Sequence, residues 1–292
     1  MRSLRVILIA AIALSAVAAC GETKDEAYIY KGGSLSTDGI TVGSWGSGKA
    51  VESKKKILTG SNSIEISTQG YYAGGRIDFS KPVTLFSKKP DSSRYLVFTV
   101  FFDDVKSVDP AAGTGYSFDV EPYTVPRVSN VRFVFEAEDG SSISVEEPTG
   151  QLDPDDNWVR IAVPLAKFHL AEEATDFSVK RLLVFSDIAN TFYIGEIKLV
   201  TDTSQIKVDA IGSQTVAIQD NVFIVAQAEG GVSNLKYSWD FDSSNGIQEE
   251  QTDMVAHYVY TRGGDYTITL TVSDVDGIKQ PVQTTGKFSV IE

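Results

Sequence analysis

The chain has 292 residues, a formal net charge of −13 from 39 acidic and 26 basic side chains, and one cysteine, Cys20. A surface this acidic disfavours nucleic acid and anionic lipid as partners. A lone thiol excludes an intrachain disulfide and every cysteine-based zinc pattern, so stability must come from packed cores.

Residues 1–19 carry Arg2 and Arg5 ahead of an apolar run from Val6 to Ala19 that only Ser15 interrupts. This is the layout of a secretory signal, and the run is shorter than the roughly 20 apolar residues a membrane span requires. The junction Val17-Ala18-Ala19-Cys20-Gly21 resembles a bacterial lipobox. That resemblance implies lipidation of the Cys20 thiol and cleavage before it; the alternative is ordinary cleavage after Ala19. Removing residues 1–19 takes away Arg2 and Arg5 and moves the charge from −13 to −15. Residues 20–27 then read as the lipidated cysteine and a polar tether, Gly21-Glu22-Thr23-Lys24-Asp25-Glu26 having no periodicity.

From Tyr28 onward no segment sustains a helical period. Runs rich in Val, Ile, Phe, Tyr and Thr alternate with Gly, Asp, Ser and Pro clusters, the pattern of short strands and turns. Strands are expected at 63–67, 74–79, 95–102, 131–137, 142–145, 158–164, 181–186 and 192–200. The pattern restarts at Ile206 with seven tighter strands, at 206–208, 215–218, 222–228, 236–240, 255–260, 264–274 and 284–291. The domains expected are therefore 28–203 and 206–292. The fold class is all-β, a jelly-roll β-sandwich followed by an immunoglobulin-like β-sandwich.

The second domain carries three ordered motifs: Tyr237-Ser238-Trp239-Asp240-Phe241-Asp242, then His257-Tyr258-Val259-Tyr260, then Gly264-Asp265-Tyr266 through Ser273-Asp274. Together they resemble the polycystic kidney disease (PKD) family of β-sandwich domains, which makes the second sandwich PKD-type. The resemblance implies a spacer or interaction module. Trp239 and Phe241 share one strand face and should fill the centre of the sandwich. The family's Gly-Asp-Gly turn is replaced here by Asp242-Ser243-Ser244-Asn245-Gly246, so that loop must differ. His257 reads as a structural residue, and Asp274-Val275-Asp276-Gly277 as a hairpin turn lacking the ligand series of a calcium loop.

In the first domain, Tyr71-Tyr72-Ala73-Gly74-Gly75-Arg76-Ile77-Asp78-Phe79, the stretch from Asn157-Trp158 to Lys167-Phe168, and Phe192-Tyr193-Ile194-Gly195-Glu196-Ile197 are similar to the galactose-binding-like jelly rolls of carbohydrate-binding modules. In those relatives an acidic residue near the closing strand helps hold a structural calcium. Glu196 is the residue available for that here, but Gly195 stands where an acidic residue is frequent, so no cofactor or metal ligand is assigned. Sugar binding on such a fold requires exposed rings beside a few polar groups. Trp45 lies in a loop of small residues, Gly43-Ser44-Trp45-Gly46-Ser47-Gly48, though its indole could fold back as a plug. Of Tyr71 and Tyr72 one should face outward and the other belong to the core. Tyr116 and Tyr123, in the Gly- and Pro-rich loop 109–126, offer a second aromatic platform, and Trp158 opens an alternating strand and is assigned to packing.

The two histidines, His169 and His257, sit in different domains without a nucleophile motif around them, and no phosphate-binding or zinc-protease signature occurs. Asp103-Asp104 and Asp153-Pro154-Asp155-Asp156 read as solvated loop charge. No catalytic residue is expected. The sequence thus points to a non-catalytic, lipid-anchored, extracytoplasmic protein of the cell envelope, at the outer membrane or the cell surface and facing either the periplasm or the outside. Its membrane contact is the lipid anchor alone; its jelly roll is expected to bind an extracellular glycan, the alternative being a structural or adhesive scaffold whose partner is another envelope protein.

Overall fold

The computed structural model describes residues 24–87, 91–109, 112, 122–150, 157–168 and 176–292. Chain contacts divide it into two compact units, one formed by Cys20–Val108 with Tyr123–Thr203, the other containing Ser204–Glu292. Among the described residues the only helical pieces are single 3-10 turns, Leu165–Lys167 and Ser243–Asn245.

The first unit contains strands β1 (Lys24–Tyr30), β2 (Ile40–Trp45), β3 (Gly48–Ser53), β4 (Ser63–Gln69), β5 (Gly74–Ser87), β6 (Arg94–Phe102), β7 (Val105–Val108), β8 (Tyr123–Pro126), β9 (Asn130–Ala137), β10 (Ser142–Pro148), β11 (Trp158–Pro164), β12 (Asp176–Ser186) and β13 (Ala189–Thr201). Their hydrogen bonds run in the order β10-β9-β12-β5-β2-β3-β4-β13-β6-β11, with β1 beside β13. The path turns at the short β2–β3 hairpin and makes two leaves of a sandwich, β10-β9-β12-β5-β2 and β3-β4-β13-β6-β11. Alternation fills the space between them. Val131, Phe133 and Phe135 of β9 point inward while Arg132 and Glu136 are partly exposed. Phe98 of one leaf stacks on Phe133 of the other with ring centroids 4.3 Å apart. Phe168, in the stretch after β11, adds to that core by packing on Phe135 at 5.0 Å.

The second unit contains β14 (Lys207–Val208), β15 (Gln214–Ala217), β16 (Asn221–Val225), β17 (Ala228–Glu229), β18 (Leu235–Asp240), β19 (Val255–Val259), β20 (Gly264–Asp274) and β21 (Val282–Ile291). The sheet β15-β21-β20-β18 faces the β16–β19 pair across an immunoglobulin-like core. At its centre Trp239 and Phe241 are fully buried and stack at 6.3 Å, while Phe241 stacks on Tyr258 at 4.3 Å. The indole N–H donates to the Asp253 carbonyl at 2.8 Å, so this buried polar atom keeps a partner. Buried Asp240 shapes the atypical loop: its carboxylate accepts the Asp242 amide at 3.1 Å and the Gln248 amide at 2.6 Å. Asp274 does the same for the next hairpin, accepting the amides of Asp276, Ile278 and Lys279. Both carboxylates are turn organisers.

Four sequence expectations change. Strand β1 begins inside the stretch expected to be a tether, and residues 43–48, expected to be a loop, belong to the β2–β3 hairpin of residues 40–53. Tyr123 stands on β8 and not in a loop. The small residues of 43–48 answer to crowding between strands: a Cβ on Gly43 would lie 2.8 Å from the Arg76 guanidinium, and one on Gly48 only 2.3 Å from the Gly74 nitrogen. The second unit also has an eighth strand, β17, paired with β14.

His257 lies flat on Phe223 at 4.5 Å, with Nε2 2.8 Å from the Asn221 Oδ1. Burial holds its pKa below the ordinary value. The neutral ring is therefore the form the fold prefers. Its contribution to stability is complete above the unfolded pKa of about 6.5 and is lost as pH falls through the lower folded value. The thermal midpoint of the second unit is expected to drop between pH 7 and pH 5, and His257→Gln to shrink that drop; scanning calorimetry at the two pH values checks both.

Candidate functional site

Two turns meet at one end of the first sandwich, one closing the β2–β3 hairpin and the other carrying the chain from β4 in one leaf to β5 in the other. The β2–β3 turn is only Gly46-Ser47, with Gly46 at φ +60°, as primed two-residue turns require. The β4–β5 turn is Gly70-Tyr71-Tyr72-Ala73. Trp45 pairs with Gly74, and a Cβ on Gly46 would touch Ala73 at 3.2 Å and the Tyr72 carbonyl at 3.3 Å. The turns are thus in contact, and they bring Trp45, Tyr71 and Tyr72 together. Trp45 is 39% exposed and Tyr72 84% exposed. Trp45 lies on the same outer face of its leaf as Gly43, opposite the inward-pointing Ile40 and Val42.

Tyr71 is not the core residue expected of one member of the pair. It is half-buried against the outside of the leaf, and its hydroxyl donates to Glu146. Burial, then the hydrogen bond to Glu146 and the charges of Glu146 and Asp187, push its pKa up to about 12. The phenol therefore remains a proton donor at any physiological pH. Arg132 completes the arrangement: its guanidinium donates to the Tyr71 carbonyl at 3.3 Å and to Ser144 Oγ at 2.9 Å, and lies 5.6 Å from the Phe185 ring. Asp187, in the β12–β13 turn, accepts the Ser129 amide at 3.1 Å. Two exposed rings thus stand beside a carboxylate, a guanidinium and a phenol whose orientations are already fixed.

The remaining candidates are scattered. Tyr123 is half-buried on the β7–β8 ribbon, paired with Val108. That ribbon is tied to the same end of the sandwich, because Asp104 at its base pairs with Arg127 at 2.9 Å and accepts from Asn190 at 3.3 Å. Tyr116, Cys20, His169 and Asp153-Pro154-Asp155-Asp156 lie outside the described residues. Asp103 and Asp104 are not free loop charge, since Asp103 pairs with Lys56 at 2.8 Å. Trp158 does pack, but on the outside of the second leaf, edge-on to Phe101 at 5.3 Å and outside the core cluster. Alternation alone hides this, because Phe101, Tyr95 and Val97 make the outer positions of β6 as apolar as its inner ones.

Glu196 is not set up as a cation ligand. Lys198 fills the place beside it, its ammonium 3.1 Å from Glu196 and 3.3 Å from Glu26. Gly195 has a separate cause: a Cβ there would lie 2.6 Å from Leu58 and 2.7 Å from the Trp158 indole. Among the described residues no cluster of three or more His, Cys, Asp or Glu side chains is close enough to hold a metal.

Residues 199–288 match the PKD domain family. No curated protein sequence matches the chain. Among solved structures, the chain is similar to the CBM22 and GH10 modules of a Clostridium thermocellum endo-1,4-β-D-xylanase complexed with xylohexaose, at 10% identity and TM-score 0.32, over 62% of this chain and 31% of that one. It is similar also to a carbohydrate-binding module of the β-sandwich superfamily, at 13% identity and TM-score 0.30, over 55% of this chain and 56% of that one. A third likeness is to the fibronectin(III)-like modules of Clostridium thermocellum CbhA, at 15% identity and TM-score 0.25, over 64% and 94%. The chain spans about a third of the length of the first of these. Scores this low leave the site's own geometry to carry a functional reading.

The Lys198 pairing yields a test. Burial lowers the lysine's pKa, while hydrogen bonds and charge from Glu196 and Glu26 raise it more, for a net upward shift. Its stabilisation is complete below the unfolded pKa of about 10.4 and is lost as pH rises through the higher folded value. Lys198→Met should cost about 2 kcal/mol in urea denaturation at pH 7, while calcium or EDTA leaves the wild-type midpoint in place.

Proposed function

We propose that this protein is a non-catalytic, lipid-anchored component of the bacterial cell envelope that binds an extracellular glycan through its jelly roll. Cys20 carries the lipid, and the PKD-like unit acts as a spacer or interaction module. The observation behind the binding role is the contact of two turns that sets exposed Trp45 and Tyr72 beside Tyr71, Glu146 and Arg132. A pyranose presents C–H groups on its faces and hydroxyls around its edge. An aromatic surface takes the faces, while a carboxylate acceptor and a guanidinium donor take hydroxyls. Tyr71 holds Glu146 in place and is a positioning residue in this scheme.

Glycan-array binding of the full chain in detergent tests the proposal, with affinity then measured on the best hit by calorimetry. Trp45→Ala and Tyr72→Ala should each weaken binding at least about tenfold, equivalent to about 1.4 kcal/mol. Both side chains are exposed, so the melting temperature should hold. Absence of binding to any glycan, or binding indifferent to both substitutions, would overturn this site.

A further inference from the structure

The outer face of the second leaf carries a different set of groups. Register places Val51, Glu65, Tyr193, Phe101 and Trp158 in one row across five neighbouring strands, β3, β4, β13, β6 and β11. Their side chains share the outer face, since Ala50, Ile64, Ile66, Val100, Phe102 and Val159 alternate with them into the interior. The aromatic part of the row is continuous: Phe101 meets Trp158 at 5.3 Å and Tyr193 at 6.4 Å. Trp158 and Phe101 are half-exposed, and Tyr193 is the buried floor.

Gly195 makes this surface possible. Trp158 stands on β11, yet the far end of its six-membered ring reaches the position a Cβ of Gly195 would occupy on β13. Strands β11 and β13 flank β6, so the indole extends over about two strand spacings of roughly 4.8 Å. An indole reaching that far lies along the sheet, which makes it a platform and not a plug.

Positive charge gathers around the row in a chain whose formal net charge is −13. The β3–β4 loop contributes Lys54-Lys55-Lys56, Lys49 precedes Val51 on the outer face of β3, and Arg160 follows Trp158 on that of β11. Lys56 takes a left-handed backbone conformation, φ +48°, and holds its ammonium 4.4 Å from the Phe101 ring centre. Lys55 is paired with Glu65 and Lys56 with Asp103. Lys49, Lys54 and Arg160 form no ion pair among the described residues. At physiological salt, charges beyond about 8 Å are largely screened, so a ligand at this face feels the local cations more than the distant acidic surface.

We propose that this face is a second binding site, separate from the Trp45 rim, for an anionic polysaccharide bearing uronate or sulfate groups. Trp158 and Phe101 take the sugar faces, and Lys49, Lys54 and Arg160 take the acid groups.

The test is affinity measurement on the full chain in detergent with polygalacturonate and with dextran sulfate, against neutral xylan and dextran and against single-stranded DNA. The expected result is binding to at least one acidic polymer, weakened several-fold as salt rises from about 0.05 to 0.3 M. The polymer preferred distinguishes carboxylate from sulfate recognition. Trp158→Ala and the double variant Lys54→Gln/Arg160→Gln should each lower that affinity at least about tenfold, while Trp45→Ala leaves it unchanged. The double variant alters only exposed side chains, so it reads the site even if Trp158→Ala loosens the sheet. Failure to bind either acidic polymer, equal binding to single-stranded DNA, or affinity indifferent to the double variant would overturn the proposal. Loss of acidic binding with Trp45→Ala would instead merge the two sites and overturn their separation.

Discussion

The rim of the first sandwich depends on two glycines. Gly48 and Gly74 approach so closely that a Cβ on the first would lie 2.3 Å from the nitrogen of the second, a separation real side chains do not reach. Because Gly48 carries no Cβ, the β2–β3 hairpin closes against the end of the β4–β5 turn, while the bare Gly74 makes room for the Val184 carbonyl of β12, which would lie 2.0 Å from a Cβ there. The contact of the two turns fixes where the path of strands passes from one leaf to the other. It also places Trp45 next to the turn bearing Tyr71 and Tyr72, and so brings the tyrosine hydroxyl to Glu146. Glycine at these positions specifies the site as well as relieving strain.

Polar stabilisation in the described residues comes from ion pairs and turn-organising carboxylates, consistent with a chain that has only one cysteine. Lys198 joins Glu26 on β1 to Glu196 on β13 and ties the first strand to the last strand of its unit. Asp240 and Asp274 bind backbone amides of their own loops. In each case an anion is matched close by, by a cation or by amide dipoles, which is how an acidic chain tolerates buried charge. The outer face of the second leaf is the exception, with cations that have no such match.

Much of the fold was legible because it rests on local alternation. The Trp239-Asp240-Phe241 strand, the 264–274 strand and most jelly-roll strands announce themselves by period-two patterns of bulky residues. The hairpin at 40–53 did not, since its small residues satisfy neighbours distant in sequence, Arg76 and Gly74. Long-range pairing hid other features in the same way. Nothing near Lys198 indicates Glu26, and nothing near Tyr71 indicates Glu146. Trp158 shows the limit most clearly: alternation gave its strand correctly, but which of two apolar faces meets the core is decided by the partner leaf. The closeness of Trp45 to Tyr72 likewise follows from which turns touch, which no spacing in the sequence contains.

The three tryptophans are placed as reporters, one at the rim, one on the outer face of the second leaf and one in the core of the second unit. The most direct test follows their indole N–H resonances by NMR during titration with the glycan selected on the array. With a neutral glycan bound at the rim, the Trp45 signal is expected to move saturably while the buried Trp239 signal stays in place. A Trp45 signal unmoved at saturation would contradict binding there.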